Sequence, residues 1–452
     1  MPCVSVPADD LPSHIGRYQV IKRLGEGATS DVFLALDPFQ AQPGHKEVAI
    51  KRMRSWAPLA DAPASDFSSR FFSAEAALAG RLHHPNVVAI LDAVAEDTAP
   101  YLVMEYVPGV TLKHYCRPDR LLPLDQIVET AFKCAMALGY VYRQGLIHRD
   151  VKPANLLAVM DATGQVVDVK VSDFGSVLNL NADATQIHRV GSLAYMPPEQ
   201  IEGGDVDCRA DIYALGAVVY HLIAGRAPFD APHQMALMHQ IYHQAPPTLV
   251  GQREGVTEAL DAVVQRALAK APHERFADWD SFAQALSGLV SGQQVPMNRL
   301  NEVRDSERFN MLRALEFFAE FGDVQLWEVV RRARWRRYPP GHALFKRGQE
   351  GSSFHIIARG EVQVFRDKHL VATLGQGTSV GEMAYLAPNP DLRRHSTDIQ
   401  VTQECTTICF DPETLGKLTF ECQHLFDRAF IRVLVRRLHA AHEALAHPRR
   451  IL

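Results

Sequence analysis

Two short polar motifs at residues 148–155 and 173–175 constrain this chain more than any other feature. They read HRDVKPAN and DFG, and Asp173 lies 18 positions after Asn155. Magnesium binds oxygen ligands in proteins, and phosphoryl transfer also needs a carboxylate near the acceptor hydroxyl. Asn155 and Asp173 would supply the metal ligands and Asp150 the carboxylate. We therefore expect the chain to fold both motifs into one site.

A glycine-rich turn and a lysine-bearing strand precede these motifs. The turn reads GEGATSDV at 25–32, and its glycines would bring backbone N–H groups close to phosphate oxygens. Taken alone it also fits a tight hairpin, because Ser30 stands where a third glycine is usual. The apolar run VAI at 48–50 ends in Lys51, and Glu75 lies in a segment with helical spacing at 68–82. We expect Glu75 to hold Lys51 on the phosphates.

In this order and at these spacings, the motifs resemble those of the eukaryotic-type (Hanks-type) Ser/Thr protein kinases, most of all the bacterial members. The resemblance covers 17–290 and implies an α+β fold with two lobes, 17–107 and 108–290. It implies ATP-dependent phosphorylation of Ser or Thr in protein substrates, with Mg²⁺ or Mn²⁺ held by Asn155 and Asp173. The catalytic positions that it implies are Asp150, Lys152, Lys51 and Glu75. The ATP-binding positions are Gly25, Gly27, Ser30, Val32, Ala49, Lys51, Met104, Glu105, Val107, Asn155 and Asp173.

The segment from Asp173 to Glu199 resembles the activation segment of the same family. Arg149 precedes the catalytic aspartate, and an arginine there can pair with a phosphate on this segment, which needs such a partner for its added charge. We predict autophosphorylation, with Thr185 as the first candidate. Ser176 directly follows DFG, and Ser192 resembles the residue whose hydroxyl contacts the catalytic aspartate; these two are the other candidates.

Residues 338–410 return to short strands with glycine turns, and the stretch YPPGHALFKRGQEGSSFHIIARGEVQVF at 338–365 resembles cyclic-nucleotide-binding domains. This second resemblance covers 309–445 and implies a β-roll with flanking helices that takes cAMP or cGMP as effector. Gly381 and Glu382 are similar to the start of the phosphate-binding cassette, where the glutamate bonds the ribose 2′-hydroxyl.

The arginine that would hold the cyclic phosphate is less sharply defined, because the loop after Glu382 is two or three residues longer than in the family. Arg394 is the first candidate and Arg393 the second. If the following strand sets the register, His395 takes this position. The alternative is that both arginines lie on a solvated loop.

Composition limits the remaining possibilities. The 452 residues are 47% hydrophobic with a net charge of −5, which fits packed domains and argues against a nucleic-acid partner. Seven cysteines without a paired CxxC argue against a disulfide framework or zinc site. The N-terminus lacks signal-peptide features, and no apolar run reaches the ~20 residues of a membrane span. We expect a cytoplasmic protein with a tail at 1–16 and a linker at 291–308.

Two interpretations of the whole chain follow. In the first, a Ser/Thr kinase is regulated by a cyclic nucleotide that binds its C-terminal domain. In the second, an autophosphorylating kinase acts as a signalling scaffold, and its C-terminal domain serves only for docking or for forming a homodimer. The loop with Arg393 and Arg394 is the sequence feature that separates them.

Overall fold

The computed structural model describes residues 11–26, 30–39, 47–54, 72–95, 99–179, 193–296, 304–387, 389 and 393–446. The chain forms two compact units, 1–301 and 302–452. In the described part, no helix is both long and apolar enough to cross a membrane.

The first unit begins with a six-stranded antiparallel sheet of strand order β1-β2-β3-β4-β6-β5. One face buries a cluster around Tyr18, Phe33, Ile50 and Tyr101. A short helix at 72–76 follows β4. A helix was predicted over 68–82, and among the described residues of that range only 72–76 are helical. The strands are β1 (His14–Ile15), β2 (Tyr18–Glu26), β3 (Ser30–Leu36), β4 (Glu47–Met53), β5 (Ile90–Val94) and β6 (Tyr101–Glu105).

The rest of this unit is mainly helical. Small residues allow close helix packing: a Cβ on Gly139 would lie 2.9 Å from Cβ of Trp279, and one on Gly216 would lie 2.7 Å from Cβ of Ala267. The helices predicted at 124–143 and 208–225 are present, and the one predicted at 257–270 ends three residues early. The helices are α1 (Leu124–Arg143), α2 (Pro198–Glu202), α3 (Cys208–Ala224), α4 (Gln234–His243), α5 (Glu258–Ala267) and α6 (Trp279–Ser291).

The two polar motifs lie beside short strands that come before and after α1 in the chain. A three-stranded sheet has the order β10-β9-β7, and β11 pairs with β8. The 3₁₀ turn Pro153–Asn155 leads directly into β9. These strands are β7 (Gly109–Thr111), β8 (Leu146–Ile147), β9 (Leu156–Met160), β10 (Val166–Val171) and β11 (Leu178–Asn179).

The second unit contains two four-stranded antiparallel sheets, of order β12-β19-β14-β17 and β13-β18-β15-β16. Alternating apolar residues such as Ile357, Val362, Val380 and Val401 form its core. The strands are β12 (Arg334–Tyr338), β13 (Ala343–Phe345), β14 (Phe354–Arg359), β15 (Val362–Arg366), β16 (His369–Leu374), β17 (Ser379–Val380), β18 (Asp398–Val401) and β19 (Cys405–Phe410).

Helices before and after these sheets pack through aromatic rings. The ring of Phe354 lies 4.8 Å from that of Phe430 and 5.1 Å from that of Phe410, and Phe317 lies 5.5 Å from Phe430. This packing fixes the start of the long last helix on the β-roll. The helices are α7 (Asp305–Ala314), α8 (Asp323–Arg332), α9 (Glu382–Tyr385), α10 (Pro412–Gly416) and α11 (Phe420–Ala446).

Candidate functional site

A buried ion network joins the sheet, the short helix and the DFG motif. On β4, Lys51 Nζ lies 2.7 Å from Glu75 Oε2 and 2.8 Å from Asp173 Oδ1. Burial lowers the pKa of Lys51, but Asp173 and Glu75 more than offset this effect, so the net change is upward. Burial raises the pKa of Glu75, whereas Asp173, despite its own burial, keeps a lowered pKa because of Lys51. The structure thus brings together Lys51, predicted to hold the phosphates, Glu75, predicted to fix Lys51, and Asp173, predicted as a metal ligand.

The loop with the HRDVKPAN motif holds a second cluster. Lys152 Nζ donates to Asp150 Oδ2 at 2.6 Å. Asn155 Nδ2 donates to the same oxygen at 3.1 Å and to the backbone oxygen of Asp150 at 2.9 Å. The Asn155 amide is therefore oriented with nitrogen toward Asp150, which leaves its oxygen for another partner. Oxygen from Asn155 and the carboxylate of Asp173 form a donor set that suits Mg²⁺.

Asp211 of α3 fixes the backbone of this loop. Its carboxylate accepts the N–H of His148 at 2.7 Å and that of Arg149 at 2.8 Å. Arg149 has a φ of 62° and Asp173 a φ of 65°, a left-handed conformation that non-glycine residues rarely adopt. Backbone strain of this kind persists where surrounding contacts over-determine it. Asp211 provides such contacts at Arg149, and Lys51 does so at Asp173.

The ATP-binding positions predicted on the six-stranded sheet lie on neighbouring strands. Val32 pairs with Lys51 across β3 and β4, and Ala49 pairs with Met104 across β4 and β6. The carboxylate of Glu105 turns away toward Lys170, whose Nζ lies 2.9 Å from it. Any contact of Glu105 with adenine would therefore use its backbone, and Val107 lies two residues beyond the end of β6. Gly25 and Ser30 flank the turn, whereas Gly27 lies outside the described residues.

The protein kinase domain model matches residues 18–287, more than half of the chain. The chain belongs to the protein kinase family. In addition, the cyclic nucleotide-binding domain model matches residues 335–421, which lie in the second unit of this kinase-family chain. The α+β fold expected from both resemblances is confirmed.

Similar curated proteins are bacterial Ser/Thr kinases. "Serine/threonine-protein kinase PknB" of Mycobacterium leprae is 37% identical over 312 residues, which are 67% of this chain and 47% of that protein. The protein of the same name from Mycobacterium tuberculosis is 36% identical over the same shares. "Probable serine/threonine-protein kinase PknB" of Lactococcus lactis is 34% identical over 58% of this chain and 40% of that protein. The chain thus spans about half the length of the curated relatives it matches.

In the second unit, Glu382 is already bound by a residue of the same domain. Arg437 of α11 donates to Glu382 Oε1 and, at 2.8 Å, to the backbone oxygen of Ser379. The other carboxylate oxygen of Glu382 and the hydroxyl of Ser379 are buried and have no partner among the described residues. Gly381 is the N-cap residue before α9 and has a φ of 85°, and a Cβ there would lie 2.8 Å from the ring of Phe345. A glycine is required at that position.

The two candidate arginines lie on the surface. Arg394 donates to the backbone oxygen of Gly348 at 2.9 Å, and Arg393 donates to that of Ala387 at 3.3 Å. The buried residue of this segment is His395, whose ring stacks on Phe345 at 4.1 Å. A Cβ on Gly351 would lie only 2.6 Å from this ring. The strand register therefore places an imidazole, and neither arginine, on the inside.

The sequence patterns indicate neither Arg437 nor the role of Asp211 as an acceptor for the N–H groups of His148 and Arg149. No sequence pattern indicates Arg437 as the partner of Glu382, because it stands 55 positions later in a helix with several arginines. Thr185 and Ser192 lie outside the described residues. Ser176 is buried, and its backbone oxygen accepts a hydrogen bond from Arg149 Nε at 3.0 Å.

Proposed function

We propose that this chain transfers the γ-phosphoryl group of ATP to Ser or Thr hydroxyls of proteins. The observation that carries the proposal is the ion network in which Lys51 contacts both Glu75 and Asp173, at 2.7 and 2.8 Å. Phosphoryl transfer depends mostly on positioning and electrostatic stabilisation, and this network aligns a cation with a metal-binding carboxylate.

Each side chain then has a defined task. Lys51 would bind the non-transferred phosphates, and Asn155 and Asp173 would hold Mg²⁺ or Mn²⁺, which would supply positive charge against the phosphates. Asp150 orients the substrate hydroxyl and accepts its proton, and Lys152, 2.6 Å from that carboxylate, lies where it can contact the transferred group.

Transfer of ³²P from ATP to a Ser/Thr peptide library, followed by phosphoamino-acid analysis, tests this proposal. Asp150→Asn should keep the fold and ATP affinity but lower turnover by about 10²–10⁴-fold, the usual contribution of a positioned proton acceptor. Asp205→Asn is the matched control, because Asp205 is exposed on a loop before α3. Transfer by Asp150→Asn at the wild-type rate would refute the assignment.

We further propose that the C-terminal domain regulates the kinase by binding a cyclic purine nucleotide at Glu382. The unpartnered oxygen of Glu382 supports this, since a ribose hydroxyl could donate to it. The ion pair with Arg437 opposes it, because the free oxygen is itself buried while the guanidinium holds the other oxygen. A ribose hydroxyl would reach the free oxygen only after the guanidinium has moved. Binding would therefore select a conformation in which α11 has withdrawn Arg437, and the apparent affinity falls with the population of that conformation.

Isothermal titration of the full chain with cAMP and cGMP, together with kinase assays, tests the regulatory proposal. Arg437→Gln should tighten nucleotide binding, and Glu382→Gln should weaken it. Arg428→Gln is the control, because Arg428 sits on the same helix but pairs with Glu320 at 2.8 Å. The scaffold interpretation is favoured by the buried ring of His395 at the inward position. Absence of binding at millimolar nucleotide in both wild type and Arg437→Gln would refute the regulatory proposal and favour the scaffold interpretation.

A further inference from the structure

The segment 113–120 (KHYCRPDR), here called the basic segment, forms a cationic surface on an acidic unit. Residues 1–301 contain 25 Lys and Arg against 33 Asp and Glu, whereas the basic segment contains three Lys and Arg against one Asp. All four of these charged side chains are exposed. They belong to Lys113, Arg117, Asp119 and Arg120.

The one carboxylate of the basic segment is shared by two guanidinium groups. Arg117 Nε lies 3.0 Å from Asp119 Oδ1, and Arg120 Nε lies 3.6 Å from Asp119 Oδ2. The side chains of Arg117 and Arg120 nevertheless remain 67 and 48% exposed. The segment therefore keeps a net positive charge, and both guanidinium groups are open to a carboxylate from another molecule.

The basic segment lies beside the turn that follows Asp150 and Lys152. It begins in a 3₁₀ turn at Leu112–Tyr115, in which the side chain of Leu112 is fully buried. This turn packs against the 3₁₀ turn Pro153–Asn155 and against β9. The basic segment thus borders on the region where the proposed function places the substrate hydroxyl.

A second set of contacts joins the basic segment to the end of the segment that resembles an activation segment. His221 of α3 links the two, because its Nδ1 lies 2.8 Å from Tyr195 Oη and its ring also hydrogen-bonds the backbone of Cys116. Close by, a Cβ on Gly225 would lie 3.0 Å from Cγ of Pro118. A protein substrate held near Tyr195 would therefore have the basic segment as a neighbour.

We propose that the basic segment selects protein substrates that carry Asp or Glu close to the Ser or Thr that is phosphorylated. This inference rests on the kinase activity proposed above and names the class of its substrate. Guanidinium groups bind carboxylates through charge-assisted, often paired hydrogen bonds, and complementary charge favours the correct partner and its approach. The net negative charge of the unit would oppose an acidic substrate elsewhere, so the basic segment also directs where it binds.

Peptide kinetics with the full chain test the proposal. Two peptides of equal length carry one Thr acceptor, which is flanked on both sides by Glu in one peptide and by Gln in the other. The wild type should show a kcat/KM roughly 5–20-fold higher for the Glu peptide, because each exposed ion pair contributes little and several act together. At about 0.5 M NaCl the ratio should approach one, since exposed charges are then screened.

The same assay separates this inference from the proposed function. Equal rates on the two peptides at low salt would overturn the inference and leave the kinase activity standing. Absence of transfer to either peptide would overturn both.

Variants assign the preference to the basic segment. Arg117→Gln combined with Arg120→Gln should bring the ratio close to one and leave kcat/KM for the Gln peptide unchanged. Lys22→Gln is the matched control, because Lys22 is an exposed cation on β2 outside the basic segment. A ratio that stays at the wild-type value in the double variant would overturn the proposal.

Charge reversal distinguishes recognition from damage to the fold. Arg117→Glu combined with Arg120→Glu should lower kcat/KM for the Glu peptide and raise it for a matched peptide flanked by Lys. A general loss of structure would lower the rates on all three peptides alike, and that result would contradict a direct contact with the substrate.

Discussion

Glu75 and Lys51 stand 24 positions apart in the chain, yet their charged groups approach to 2.7 Å in a site where Glu75 is only 1% exposed. Burial raises the pKa of the Glu75 carboxyl, and the ammonium group of Lys51 acts against this effect. The charge of Glu75 would not be stable at this depth without Lys51, because an unpaired buried ion is costly. The pair therefore links the position of the 72–76 helix to the geometry of the phosphate site.

Replacement of Glu75 by Gln should lower kcat/KM for ATP by roughly 10–100-fold. The amide retains the shape of the side chain, but it no longer holds Lys51 by charge, and Lys51 then rests on Asp173 alone. Steady-state kinetics with varied ATP measure the effect. Glu47→Gln at the exposed start of β4 serves as control. Unchanged kinetics in Glu75→Gln would show that Lys51 needs no second carboxylate.

Autophosphorylation should occur on the segment between Asp173 and Glu199. Burial lowers the pKa of Arg149, which indicates a desolvated guanidinium that would gain from a phosphate partner. Thr185 remains the first candidate, and Ser176 is buried. Mass spectrometry of protein incubated with Mg·ATP, beside Asp150→Asn, checks this prediction. Absence of phosphate on every residue from 176 to 192 would contradict it.

Loss of Arg275 should destabilise the kinase unit by about 3–5 kcal/mol, as expected when one partner of a buried ion pair is removed. The guanidinium is buried and donates to both oxygens of Glu199, at 2.6 and 2.8 Å. Urea unfolding of Arg275→Met measures the change. Arg226→Met, which removes only an exposed contact with Gln252, should cost less than about 1 kcal/mol. Similar stability of the two variants would contradict the role given to Arg275.

Stability of the C-terminal unit should fall with acid because of His355. Burial, the largest cause, lowers the pKa of His355 to about 4, and its Nδ1 lies 2.9 Å from Thr407 Oγ1. The unfolded chain takes up this proton near pH 6.5, whereas the folded unit resists until about pH 4. Neutral His355 therefore contributes roughly 3 kcal/mol to the stability of the folded unit above pH 6.5, and this contribution is lost as the pH falls toward 4.

His355→Gln keeps a hydrogen-bonding group beside Thr407 but cannot titrate. Hydrogen exchange of peptides that cover β14, measured from pH 4.5 to 7, should show a shallower loss of protection in this variant than in wild type. Equal pH dependence in the two proteins, after correction for intrinsic exchange, would assign the acid sensitivity to other groups.

The kinase site could be predicted because its motifs depend on one another chemically. The second site was difficult to predict because it depends on how strands and helices pair in space. Lys51, Glu75 and Asp173 belong to motifs whose functions need one another, so their meeting could be inferred without coordinates. No spacing rule connects Glu382 with Arg437, since they approach only because the aromatic packing sets α11 beside α9. Which side chain of 393–395 points into the domain depends on the backbone hydrogen bonds of this segment with 348–351. Alternation from buried Ile399 and Val401 points to His395, the choice that the sequence left conditional.

The contact between Gly351 and His395 also restricts how this domain can diverge. Any side chain at 351 would collide with the imidazole at 395, which itself rests on Phe345. A lineage that exchanged the glycine first would place a side chain against the imidazole. One that exchanged the histidine first would lose the stacking on Phe345, and a new Cβ at 351 would still lie 3.0 Å from Ala384 Cβ. The two sites are thus epistatic, because a substitution at either one changes what the other tolerates.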